Sequence, residues 1–198
     1  MKTPVKRHKG PAPRPANDNS NLRDRLRAAR IGWSDAILGA IGWGAAMALS
    51  AQAAIWLSMA GLTDHYWSIT ALVFSGAVLA WPLSLACFRF IAFRRSREAV
   101  FAAAFVCLSI FTLGVTACLF AVIYRNFYAQ WHGDPFTKLW LLQLAFTSAA
   151  ALYQFAVIGV RLYLPLGVVF LFAASLMLAR GNGRAKPAKT GLFAGQRR

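Results

Sequence analysis

Residues 99–124 read AVFAAAFVCLSIFTLGVTACLFAVIY, twenty-six positions without a charged side chain. A helix of about 20 apolar residues crosses a hydrocarbon core roughly 30 Å thick. This run therefore predicts a membrane-spanning helix, and it sets the solvent in which the rest of the chain is read. Residues 35–61 and 67–88 form two further runs long enough to cross. A fourth run, 139–179, is about twice the length one crossing needs. The expected fold is all-α: a polytopic integral membrane helix bundle with four transmembrane helices, or five.

Charge gives the orientation. The chain is 58% hydrophobic and 14% charged, with a formal net charge of +16. Nine Lys or Arg fall within residues 1–35, four within 89–98 and six from Arg180 onward. Arg125, Lys138 and Arg161 are the remaining three. Basic residues gather on the cytoplasmic side of membrane proteins. Both termini and the loop around Arg94, Arg95 and Arg97 are therefore expected in the cytoplasm of a bacterial-type inner membrane. A basic chain often meets nucleic acid, but topology and anionic headgroups account for this charge. Nucleic acid is not an expected partner.

The ends are read separately. Residues 1–19 hold four prolines and little apolar surface, which predicts a disordered basic tail. Residues 180–198 are expected to be a second one. In residues 20–34, Leu22, Leu26, Ala29 and Trp33 recur at helical spacing, with Arg23, Arg27 and Arg30 on another face. That pattern predicts an amphipathic helix lying on anionic lipid. With so long a polar lead, the first span is expected to act as an uncleaved anchor and not as a signal peptide.

Within the spans, Ala36, Ala40, Gly44 and Ala48 recur every four residues, the small-residue spacing that lets helix backbones approach in lipid. Packing within the monomer is the preferred reading of that stripe. Pro82 predicts a kink in the second span. Ser109, Thr112 and Thr116 are expected to bond back to their own helix. Cys87, Cys107 and Cys118 lack metal spacing and read as packing residues.

The fourth apolar run allows two topologies. A hairpin of two spans gives five crossings and puts the basic C-terminal tail outside. A single descent, kinked near Pro165 or partly embedded, gives four and keeps that tail inside. Length favours five; the six basic residues after Ala179 favour four. Four is the preferred reading.

Polar residues inside lipid are the best pointers to function in such a chain. Gln143, Thr147, Gln154 and Arg161 fall near one face of a continuous helix, and Gln52 of the first span is a candidate partner. Arg161 needs a carboxylate, and Asp64 and Asp134 are the nearest candidates. His65 and His132 sit beside those aspartates in turn-like sequence. A metal or acid–base site there is the less favoured reading, and no cofactor is expected. No phosphate loop, zinc-protease or nucleophile-elbow motif occurs.

The expected role is non-catalytic: an accessory or scaffolding subunit that packs against another membrane protein and contacts anionic lipid. The alternative is a small transporter or channel lined by Gln52, Gln143, Gln154 and Arg161. An enzyme acting on a lipid or quinone at the outer interface is a third, weaker option.

Overall fold

The computed structural model describes residues 32–58, 65–93, 95–128, 133–164 and 166–182. The elements are α1 (Trp33–Leu57), α2 (Tyr66–Ile91), α3 (Arg97–Tyr128), α4 (Lys138–Val157), a 3-10 turn (Gly159–Tyr163) and α5 (Leu166–Asn182). Four segments are long and apolar enough to cross a membrane: α1, α2, α3, and α4 together with its 3-10 extension. No strand occurs among the described residues. The predicted tail 1–19 and most of the predicted surface helix 20–34, with Arg23, Arg27 and Arg30, lie outside the described residues, as do Arg94 and the tail beyond Asn182. Trp33 and Ser34, placed in the surface helix by periodicity, belong to α1.

The helices run up and down. Gly44 of α1 lies against Val78 and Phe74 of α2, the Trp81 ring covers Gly39, and Gln52 reaches Thr70. Rising numbers in α1 meet falling numbers in α2, so the pair is antiparallel. The α2–α3 pair is antiparallel as well, with Gly76 against Thr116 and Ser84 near Cys107. Pro82 lies inside an uninterrupted α2. Ser96 caps α3 by accepting from the Ala99 N–H.

The long fourth run resolves into one descent. Going from Trp140 to Ala179, its partners move steadily back along α3. Arg125 lies over the Trp140 ring, Phe120 meets Phe155, Thr116 meets Tyr163, and Phe101 meets Phe172. Ala179 is then buried with Phe88, Ala92 and Val100. A hairpin would have returned Ala179 to the level of Tyr124. The five-crossing reading is therefore corrected, and the break at the 3-10 turn is a step in a single leg.

This leg brings Arg180 to the end of the bundle that holds Arg89, Arg95 and Arg97. Tyr66, Trp67, Tyr124, Tyr128 and Trp140 mark the opposite end. We call these the arginine end and the aromatic end.

Two core clusters follow the bundle axis. One contains Trp43, Met47, Ala51, Val73, Ala77, Leu108, Phe155 and Tyr163. The other, toward the arginine end, gathers Leu85, Phe88, Ala92, Val100, Ala104, Cys107 and Ala179. Small residues dominate where backbones meet, as lipid-embedded packing requires: helices there gain little from hydrophobicity and much from close contact. The predicted stripe on α1 is half right. Ala40 and Gly44 are buried, whereas Ala36 and Ala48 are only partly covered, and the seam continues through Met47, Ala51 and Ile55. Four-residue steps drift about 40° each around a helix of 3.6 residues per turn. A buried seam must therefore mix steps of three with steps of four, as from Gly44 to Met47.

Gly76 tests this packing. A Cβ placed there collides with the side chain of Thr116 and comes within 3.0 Å of its Cα. Gly76→Leu is expected to destabilise the bundle by about 1–3 kcal/mol, the usual range for overpacking. Thermal unfolding in detergent should show it, with Gly114→Leu, where a Cβ meets open space, close to wild type.

Candidate functional site

A helix broken inside a hydrocarbon layer exposes backbone groups that have no water to turn to. The fourth leg is broken between α4 and α5, and α1 supplies the remedy. The Ser50 hydroxyl donates to the Leu162 carbonyl at 3.1 Å and accepts from the Gly167 N–H at 2.8 Å. One fully buried side chain thus serves both sides of the break. Gly167 eases this approach, because a Cβ there would lie 3.1 Å from Ser50 Oγ and would press the hydroxyl back by a few tenths of an ångström.

Beside it runs a second set of bonds. Tyr163 donates from its hydroxyl to Thr116 Oγ1 at 2.9 Å. Thr116 donates in turn to the Thr112 carbonyl at 2.7 Å, and Trp43 Nε1 donates to Thr112 Oγ1 at 3.0 Å. The 3-10 turn, α3 and α1 are joined by this chain of donors. Among the described residues no buried side-chain polar atom lacks a partner.

A crevice of about 210 Å³ lies against these bonds. Met47, Leu108, Leu113, Val160 and Leu171 supply most of its wall, with Trp43, Thr112 and Tyr163 at its polar edge. Leu164 and Val168, which also line it, are exposed.

The residues singled out from sequence are dispersed around this centre. Gln52 donates from Nε2 to Thr70 Oγ1 at 2.8 Å, so its partner is α2 and not the fourth leg. Gln143 accepts from the Gly133 N–H at 2.9 Å and anchors the turn before α4. Thr147 bonds back to the Gln143 carbonyl at 2.7 Å. Gln154 is exposed and faces the Tyr124 hydroxyl. Arg161 is exposed in the 3-10 turn, and no acidic side chain among the described residues pairs with it. Gln143, Thr147 and Gln154 share the uninterrupted α4 and each serves a local contact, whereas Arg161 lies beyond that helix in the 3-10 turn.

His65 and Asp134 are exposed, while Asp64 and His132 lie outside the described residues. Among the described residues no group of three His, Cys, Asp or Glu could hold a metal ion. Cys87 and Cys107 meet across α2 and α3, and Cys118 is exposed. Arg95 and Arg97 are exposed at the arginine end.

Sequence reasoning expected Thr112 and Thr116 to bond only their own helix. Thr116 does so, but both also accept from other elements. Their i, i+4 spacing puts them on one face, a usable hint. Nothing in the sequence pairs that face with Trp43 or Tyr163.

The fold defines an all-α polytopic helix bundle. Comparisons with protein-family models, with curated proteins and with solved structures find no match to this chain.

The bonding pattern orders the costs of removing each group. Ser50→Ala strands a backbone carbonyl and an N–H together, and is expected to cost roughly 1–3 kcal/mol. Tyr163→Phe removes one donor and leaves Thr116 still donating to its own helix, for about 0.6 kcal/mol, the average for interhelical bonds in lipid. Equilibrium unfolding in mixed detergent micelles should return that order.

Proposed function

We propose that this chain is a non-catalytic integral membrane protein, an accessory or scaffolding subunit that packs against another membrane protein, with both basic tails in the cytoplasm of a bacterial-type inner membrane. The observation that carries the reading is α4. Of its twenty residues only Ala151 and Phe155 are buried in the chain's own core. Leu142, Phe146 and Tyr153 point outward, the last two at 73% and 70% exposure.

The polar side chains support the same reading. Of the four residues a path would need, Gln52, Gln143 and Gln154 are each taken up by a separate local partner, which leaves Arg161 alone. A transporter needs such a path, and a packing subunit does not. The clusters of arginine at one end and aromatics at the other agree with a cytoplasmic arginine end.

Affinity purification of the full chain in mild detergent tests this. A stoichiometric membrane partner is expected, and it should be lost from the Leu142→Ala, Phe146→Ala, Tyr153→Ala triple variant without a change in the monomer's melting temperature. Liposomes holding the chain alone are expected to show no solute flux above protein-free liposomes. A lone monomer whose flux disappears with Gln154→Leu or Arg161→Leu would falsify the accessory role and restore the transporter.

A further inference from the structure

We propose that the crevice between α1, α3 and the α4–α5 break is a binding site for one acyl chain of an anionic phospholipid, with Arg161 as the contact for its phosphate. The wall excludes a polar occupant. Trp43 Nε1 already donates to Thr112 Oγ1, the Tyr163 hydroxyl to Thr116 Oγ1, and Ser109 to the Phe105 carbonyl at 2.8 Å. A water molecule held there would need two to four polar partners, and the Trp43, Tyr163 and Ser109 donors that line the crevice are already engaged. Hydrocarbon is the occupant that needs none.

The size suits a chain segment. A volume near 210 Å³ is about seven times the ~30 Å³ share of a water molecule in the liquid, and a methylene group is of similar bulk. The shape agrees. Leu164, Gly167, Val168 and Leu171 line the crevice on successive turns descending toward the arginine end. A lipid of the leaflet at the aromatic end would send its chain down that line from a headgroup above the break, toward which Arg161 extends.

The charge lies at the matching place. Arg161 belongs to the same 3-10 turn as Val160 and Tyr163, which form the upper wall. It is exposed and has no acidic partner among the described residues. An arginine there extends its stem toward the headgroup layer, and its planar fork matches phosphate oxygens.

Magnitudes decide which part confers selectivity. A chain leaving bulk lipid for an apolar crevice gains little, since lipid tails are as apolar as leucine. A charge-assisted hydrogen bond to phosphate is open to zwitterionic and anionic lipids alike; what separates them is net headgroup charge, because a choline sets a second cation near Arg161 and an anionic headgroup does not. The preference should therefore follow the headgroup, while occupancy should depend on the open crevice.

Native mass spectrometry of the full chain, titrated with phosphatidylglycerol or phosphatidylcholine of equal chain length, separates these. Wild type is expected to retain one phosphatidylglycerol severalfold more tightly than phosphatidylcholine, through the difference in net headgroup charge. Arg161→Gln should abolish that preference and still hold either lipid weakly. Val168→Trp and Ser109→Leu each fill the crevice from a position that is not fully buried, and each should lower retention of both lipids. Glycerol phosphate, a headgroup without chains, should not bind. Equal retention of the two lipids by wild type, or unchanged retention in both crevice-filling variants at unchanged melting temperature, overturns the proposal. A partner bound through α4 is unaffected by these variants, so this test and that of the accessory role fail independently.

Discussion

One hydroxyl group serves both sides of the break in the fourth leg. Ser50 sits on α1 and bonds both the Leu162 carbonyl and the Gly167 N–H. Water would satisfy those groups in a soluble protein, and hydrocarbon cannot. Without Ser50 the break between α4 and α5 would leave two backbone groups stranded in the least forgiving part of the solvent. Its position also fixes depth and register, because the 3-10 turn can dock only where Ser50 faces it. The Tyr163 bond to Thr116 and the crevice follow from that docking.

The rest of the interior obeys the same constraint. Hydrophobic burial does little to bring helices together in lipid, so contact area and hydrogen bonds carry the assembly. Gly39, Gly44 and Gly76 let large neighbours lie on bare backbone. Trp43, Thr112, Thr116 and Tyr163 then join three elements by donors that each find an acceptor. Each such bond is worth little alone. Together they select one arrangement of helices whose apolar surfaces are otherwise interchangeable.

Much of this architecture is legible in the chain. Uncharged runs of twenty or more residues imply spans whatever the neighbours, because the test is length against bilayer thickness. The arginines around 89–97 and after Ala179 correctly favour a single descent for the fourth leg. What the sequence hides is pairing between helices. The stripe from Gln143 to Arg161 assumes a continuous helix; α4 carries Gln143, Thr147 and Gln154, and the 3-10 turn at Gly159–Tyr163 changes the register of Arg161 alone. Gln52 looks like a partner for the stripe, yet Thr70 lies closer on the neighbouring hairpin arm. Ser50 gives no signal of its own, since a serine in an Ala-rich span most often bonds its own helix.

The placement of Arg161 repays a last physical argument. A continuous helix over the fourth run would measure roughly 60 Å at 1.5 Å per residue, about twice the hydrocarbon thickness. A break is one way to accommodate the excess. An irregular backbone and a guanidinium are the two costliest things to place in lipid, and here they fall within one five-residue turn. The turn's inner side is covered by α1 through Ser50, whereas Arg161 is exposed. A headgroup or local thinning of the bilayer drawn in by the arginine serves the turn's exposed side as well. Two separate defects would each need their own compensation; combined in one turn they share it, and the crevice beneath is where the bound lipid's chain can lie.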